Sequence, residues 1–239
     1  MNIDSPASSA NKSQQQESDL HADQLRITEL FLSLQGESRT VGYPTVFIRL
    51  TGCPLRCGYC DTSYAFQGGQ WMGLDAILAD VAAFETHHIT VTGGEPLAQR
   101  SCTALLTQLC DASYAVSLET SGALDVSAVD ARVVKVMDLK TPGSGEDAKN
   151  HWDNLQHLSA QDQIKFVLCD RADYDWAKQK LEQYDLMSCC EILFSPCVGQ
   201  LNPTTLADWI IEDKLQVRFQ LQLHKILWGD ERGRRGSTQ

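Results

Sequence analysis

The 239-residue sequence lacks any apolar run of about 18 residues, so no membrane-spanning helix is expected. It is short of basic side chains: 20 Lys and Arg stand against 31 Asp and Glu, for a net charge of −11. That balance excludes a general binder of nucleic-acid backbone, which needs a basic stripe to displace counterions. It leaves room for a small anionic ligand, because one well-placed arginine holds a carboxylate. The opening stretch MNIDSPASSANKSQQQESDLHAD lacks the apolar core of an export signal. Rich in Ser, Gln and Asn, residues 1–24 are expected to be a disordered leader, with folded sequence starting near Leu25. Nothing points to secretion, and the nine cysteines are odd in number, so a cytoplasmic protein with reduced thiols is expected. Internal repeats and interdomain linkers are also missing. One domain is expected over 25–228, followed by a flexible tail at 229–239.

What is present is an alternation of β-branched runs and helical periods. Strands are expected at Thr45–Leu50, His88–Thr92, Ala115–Glu119, Val133–Leu139, Gln163–Leu168, Glu191–Ser195 and Val217–Leu223. Helices are expected at Leu74–Glu85, Leu97–Asp111, Tyr174–Tyr184 and Pro203–Asp213, with a poorer pattern at Asn150–Leu158. The strand runs read as nearly continuously apolar, as in strands buried on both faces. This order predicts an α/β fold with a largely parallel sheet. Either an open doubly wound sheet or an incomplete, modified (β/α) barrel suits the count. The chemically loaded residues favour the barrel: Cys53–Cys60, Gly93-Gly94-Glu95, Thr120-Ser121-Gly122, Lys140-Thr141-Pro142-Gly143 and Ser195-Pro196 all follow or end strands. In a parallel α/β fold those ends share one face.

Residues 51–64 read TGCPLRCGYCDTSY, a C-x3-C-x2-C spacing on a loop after a strand. Thiolates suit zinc or iron–sulfur clusters. A structural zinc wants a fourth protein ligand, and no neighbouring Cys or His supplies one; His87 and His88 read as the start of a buried strand. Three thiolates leave one iron of a four-iron cube open to an external ligand. About 30 residues on, Thr92–Pro96 reads TGGEP, whose glycines permit close backbone approach.

Together these motifs resemble the radical S-adenosylmethionine superfamily. The resemblance implies a 4Fe-4S cluster on Cys53, Cys57 and Cys60, with S-adenosylmethionine on the fourth iron. The segment LFLSLQGESRTVGYPTVFIRLTGCPLRCGYCDT resembles the 7-carboxy-7-deazaguanine synthase family, and the likeness runs from about Ile27 to Leu227. That family converts 6-carboxy-5,6,7,8-tetrahydropterin to 7-carboxy-7-deazaguanine with loss of ammonia, in queuosine biosynthesis.

The resemblance implies pterin contacts at Leu34, Gln35, Gly36, Glu37, Thr92 and His224, the last at a strand end, with Arg49 on the pterin carboxylate. A bidentate guanidinium gives that role a physical basis. Cofactor contacts are implied at Tyr59, Cys60, Asp61, Gly93, Gly94 and Glu95. Asp138, Leu139 and Lys140 follow on the fourth strand end, then Ser195, Pro196, Cys197 and Val198 where relatives often have Gln-Pro. Thr62 corresponds to a Mg²⁺ ligand, with Asp61 as the alternative; a hard ion completes its octahedron from substrate and water. The ETSG run at Glu119–Gly122 reads equally as a cofactor-pocket wall or a capping turn. Ser38 stands where LQGEG is commoner. A homodimer and an electron donor such as flavodoxin or ferredoxin are also implied.

Three rivals remain at this stage. A glycyl-radical activating enzyme would share the cysteine loop and GGEP, a zinc-stapled interaction module would need only the cysteines, and a ferredoxin-like carrier would need a fourth cysteine.

Overall fold

The computed structural model describes residues 23–229 and Glu231. Among these residues nine strands form one sheet: β1 (Gln24–Leu34), β2 (Pro44–Leu50), β3 (Gln70–Gly73), β4 (His88–Gly93), β5 (Ala115–Thr120), β6 (Val134–Asp138), β7 (Gln163–Leu168), β8 (Glu191–Pro196) and β9 (Arg218–Phe219). Their spatial order is β3-β1-β2-β4-β5-β6-β7-β8-β9. β1 is antiparallel to β2 and β3, and every pairing from β2–β4 to β8–β9 is parallel. A doubly wound sheet reverses its order at a switch point. Here the parallel strands run in chain order without reversal, the arrangement of an incomplete (β/α) barrel.

Among the described residues, six α-helices accompany the sheet: α1 (Leu74–Ala82), α2 (Cys102–Asp111), α3 (Arg171–Gln183), α4 (Leu186–Cys189), α5 (Pro203–Glu212) and α6 (Leu223–Trp228). The longer ones bury a stripe at helical spacing, such as Leu74, Ile77 and Val81 in α1 or Tyr174, Ala177 and Leu181 in α3. Asp170 caps α3 by accepting from the Asp173 N–H at 2.9 Å, so the helix starts before the expected Tyr174. Asn202 caps α5 in the same way, with Pro203 in the first turn.

The strands are not uniformly apolar, which corrects the sequence reading. Val46, Ile48, Ile89, Val91, Val116, Leu118, Ile164 and Phe166 join the helices in one core. The alternate positions, among them Arg49, Thr92, Glu119, Asp138 and Lys165, line the barrel's interior cavity. The period of two separates an apolar outside from a polar inside.

β1 and β3 were not expected from sequence. In β1 the pairing slips between Ile27↔Leu50 and Glu29↔Arg49, leaving Thr28 as the extra residue of a β-bulge. Leu25 and Ile27 belong to the core before it; Leu30 and Leu32 pack there after it. This phase change hides β1 from a search for strict alternation. The Thr28 and Thr51 hydroxyls pin the bulge, Oγ1 to Oγ1 at 2.7 Å.

Other boundaries also moved. The strand expected at Val217–Leu223 shrinks to Arg218–Phe219, because the chain leaves the sheet and the Leu223 N–H bonds the Gly36 carbonyl at 2.9 Å. The expected Leu97–Asp111 helix is split: Pro96–Ala98 makes a 3-10 turn, whose Leu97 N–H goes to Glu95, and α2 starts at Cys102. α1 stops at Ala82, and residues 150–158 hold a 3-10 helix, Trp152–His157, rather than an α-helix. The leader expected at 1–24 lies outside the described residues except Asp23 and Gln24, and Gln24 already opens β1. Of the expected tail, only Gly229 and Glu231 are described.

Candidate active site

A cavity of about 510 Å³ opens inside the barrel where the parallel strands end. One side is built by the cysteine loop. Cys53, Cys57 and Cys60 are free thiols, half-buried, and all three face the cavity. The loop is held by backbone bonds at both ends: Gly52 N–H to Ala65 O at 2.8 Å, and Gly58 N–H to Ser144 O at 3.0 Å. Arg56 braces it from outside, donating to Cys53 O at 2.7 Å while its guanidinium lies 4.3 Å from the Phe66 ring centre. Burial pushes the Cys53 and Cys57 thiols up, and at Cys57 the charge of Lys140 acts against it. Metal binding here therefore releases protons.

The GGEP turn closes against this loop. A Cβ on Gly94 would collide with the Gly52 carbonyl and lie 2.6 Å from Cys53 Cβ, so only glycine lets the two turns touch. Glu95 is placed differently from expectation. It is fully buried, off the cavity, and its carboxylate accepts from Thr120 Oγ1 at 2.9 Å, Ser121 N at 2.7 Å, Ser121 Oγ at 2.5 Å and Leu97 N at 3.1 Å. It ties the GGEP turn to the ETSG turn, whose Thr120 and Ser121 do line the cavity.

Leu139, Ser195 and Pro196 are buried and do not line the cavity, and the Ser195 hydroxyl is buried with no hydrogen-bond partner among the described residues. Tyr59, Asp138, Lys140, Cys197 and Val198 do line it. Asp138 lies between two lysines, Lys140 Nζ at 3.1 Å and Lys165 Nζ at 3.3 Å. The Tyr59 hydroxyl is buried with no hydrogen-bond partner among the described residues.

The opposite side carries Gln35, Glu37, Arg49 and Thr92. Gln35 Nε2 donates to Thr90 at 3.0 Å and to Glu119 at 3.3 Å, and Thr92 Oγ1 donates to Glu119 at 3.0 Å. Glu37 accepts from Lys165 Nζ at 2.5 Å and from Gln222 Nε2 at 2.8 Å. Burial alone would raise its pKa, but the Lys165 charge and these hydrogen bonds outweigh it and hold the carboxyl at about 2. Arg49 Nε donates to Glu29 at 2.7 Å. Leu34 and Gly36 also face the cavity. His224 faces it too, from α6 rather than a strand end, and packs so tightly on Gly36 that a Cβ there would meet its ring. Ser38 has φ +68°, a left-handed conformation that suits glycine, which accounts for the usual LQGEG.

Asp61 and Thr62 stand together at the cavity, with Thr62 Oγ1 donating to Asp61 at 3.1 Å. Among the described residues, no three His, Cys, Asp or Glu side chains converge on a point that one metal ion could share.

Residues 47–138 match the radical SAM superfamily. A 7-carboxy-7-deazaguanine synthase from Chlorobaculum tepidum is 44% identical over 213 residues, covering 87% of this chain and 97% of that protein. Another, from Koribacter versatilis, is 40% identical over 222 residues, covering 87% and 98%. The chain belongs to the 7-carboxy-7-deazaguanine synthase family. The fold agrees with that of QueE from Escherichia coli, at a TM-score of 0.69 and 23% identity over 84% of this chain and 95% of that one.

Membership in this radical SAM family implies a four-iron cluster and S-adenosylmethionine, and the residues fit them. Three thiols on one loop, none in a disulfide, leave an iron open, Gly94 permits backbone contact beside Cys53, and the Tyr59 hydroxyl lacks a partner among the described residues. The activating-enzyme, zinc-module and ferredoxin readings lose ground to these relatives. Among the described residues, no helix is long and apolar enough to cross a membrane.

Sequence reasoning missed Lys165, Gln222 and Glu29, while Glu119, read as a pocket wall or a capping turn, lines the cavity. Lys165 carried a signal in retrospect: a lysine inside the strand QIKFVL, flanked by apolar residues, needs an anionic partner.

Proposed function

We propose that this chain converts 6-carboxy-5,6,7,8-tetrahydropterin to 7-carboxy-7-deazaguanine with loss of ammonia, assisted by Mg²⁺ at Thr62 and an electron donor such as flavodoxin or ferredoxin. A homodimer is part of this reading. The observation that carries it is the sharing of one cavity by three cluster-type cysteines and an arginine with uncommitted donors. Among the described residues, Arg49 makes a single hydrogen bond, from Nε, so both terminal NH₂ groups remain for a carboxylate.

Bound together, the cluster and S-adenosylmethionine supply a carbon-centred radical able to take an unactivated hydrogen. The chain's own residues hold the pterin to receive it. Arg49 anchors the carboxylate, Gln35 and Glu37 meet the polar ring edge, and Thr92 and His224 fix its tilt. Glu37 stays anionic across the physiological range, so it accepts hydrogen bonds and does not deliver a proton. The barrel wall keeps bulk water from the reacting centre.

Anaerobic incubation of the reconstituted protein with the carboxylated tetrahydropterin, S-adenosylmethionine, reductant and Mg²⁺ tests the reading. Mass spectrometry should find the ring-contracted product. Retention of the full cluster absorbance in Cys53→Ala, Cys57→Ala and Cys60→Ala, or cofactor cleavage with no change in the pterin, would overturn it.

A further inference from the structure

The bulge in β1 points beyond the residues that face the cavity. Without an extra residue, β1 would keep the phase set by Leu25 and Ile27, which face the helical core. Glu29 would then fall on the same side as Ile27, away from Arg49. Insertion of Thr28 reverses the phase and sets Glu29 directly opposite Arg49 in the register. The device is fixed on both flanks. Thr28 bonds Thr51, and the Thr51 N–H bonds the Arg26 carbonyl at 2.9 Å. Gly69 covers the bulge so closely that a Cβ would lie 2.9 Å from the Ile27 carbonyl.

One oxygen of Glu29 then takes two donors. Oε1 accepts from Arg49 Nε at 2.7 Å and from the Tyr64 hydroxyl at 2.7 Å. Arg49 and Tyr64 both line the cavity, whereas Glu29 stands behind them. A guanidinium held by its Nε edge cannot turn that edge to a ligand, so its two NH₂ groups form the fork presented to the cavity. Tyr64 lies two residues beyond Thr62, so the same carboxylate connects the anion-binding arginine to the end of the cysteine loop.

We infer that Glu29 is a positioning residue: set in place by the Thr28 bulge, it aims the free edge of Arg49 at the substrate carboxylate and fixes that aim relative to the cysteine loop through Tyr64. The inference deepens the proposed pterin chemistry and rests on it for the identity of the ligand.

Binding of two probes to the cluster-loaded protein separates aim from fold. 6-Carboxypterin carries the carboxylate, and pterin lacks it. Glu29→Ala should weaken 6-carboxypterin about 10-fold or more, as expected for loss of a charge-assisted hydrogen bond, and change pterin less than two-fold. Glu29→Gln, which keeps an acceptor for Arg49 Nε and serves if the alanine variant folds poorly, should fall between wild type and Glu29→Ala. The double variant Glu29→Ala/Arg49→Ala should bind 6-carboxypterin no worse than Arg49→Ala alone, because both changes remove one interaction. Equal weakening of both probes, an unchanged preference for the carboxylated one, or losses that multiply in the double variant would overturn the inference.

A second measurement needs no pterin. The Arg49 Nε–H resonance, assigned through its loss in Arg49→Lys, should be protected from solvent exchange in wild type and exposed in Glu29→Ala. If wild type binds neither pterin, the functional reading fails while this resonance still decides the role of Glu29: protection that is absent in wild type, or survives Glu29→Ala, removes it.

Discussion

Glu37 and Lys165 stand 128 residues apart in sequence and 2.5 Å apart in the structure, Oε2 to Nζ, joining the β1–β2 loop to β7 across the barrel. Each is about one-tenth exposed at its side chain, so each charge has given up most of its hydration and depends on its partner.

Removing the cation while leaving the anion is therefore expensive. Lys165→Met should lower unfolding stability by about 3–5 kcal/mol, measured by urea denaturation. Pairing it with Glu37→Gln should recover part of that loss, because no unpaired charge then remains. The pH dependence has a fixed sign. The carboxyl is held at about 2 against an ordinary 4.5, so its contribution is complete above about 4.5 and is lost as pH falls toward 2. Wild type should thus lose on the order of 3 kcal/mol more than Glu37→Gln between neutral pH and pH 2.

Glu95 connects two turns that carry cavity residues. Glu95→Ala leaves Ser121 N–H and the Thr120 and Ser121 hydroxyls without their acceptor in a buried site. A loss of about 2–4 kcal/mol is expected. Thermal unfolding should fall by roughly 2–4 °C for each kcal/mol at this chain length. Glu95→Gln, which retains one acceptor oxygen, should lose less.

Gly94→Ala tests the contact between the GGEP turn and the cysteine loop. The added methyl displaces either Gly52 or Cys53, so the cofactor side of the cavity should deform while the helical core stays intact. Equilibrium binding of S-adenosylmethionine to the reconstituted protein should weaken about 10-fold or more. The far-ultraviolet circular dichroism should match wild type.

For the metal, Thr62→Ala and Asp61→Asn make opposite predictions. If Thr62 supplies the protein oxygen, the Mg²⁺ concentration for half-maximal turnover should rise about 10–100-fold in Thr62→Ala and little in Asp61→Asn. The reverse pattern would move the ligand to Asp61.

The parts of this site legible in the sequence are those whose chemistry is local. Cys53, Cys57 and Cys60 share one loop, and Gly93-Gly94 share one turn, so spacing singled them out and the family resemblance gave their roles. The parallel α/β fold was legible in the alternation of strands and helices after Thr45, and the loaded residues at the strand ends favoured the barrel. Partners that meet only through barrel curvature were not. Lys165 had no visible reason to choose Glu37, and Gln222 sat in an alternating run that read as a strand until the chain turned away to reach Gly36. The brace formed by Glu95 was not visible in its motif, because the four donors it accepts from come mostly from the distant ETSG turn. β1 was missed because Thr28 breaks its alternation.

The bond from Leu223 N–H to Gly36 O has a consequence for the order in which this protein is made. Synthesis runs from the N-terminus, so the cysteine loop and the GGEP turn leave the ribosome well before Gln222 and His224 exist. The two turns that meet at Gly94 and Cys53 are thus synthesised while the nascent chain still lacks the segment that bonds the β1–β2 loop. Chain growth itself thus separates the making of these two turns from the tethering of Gly36.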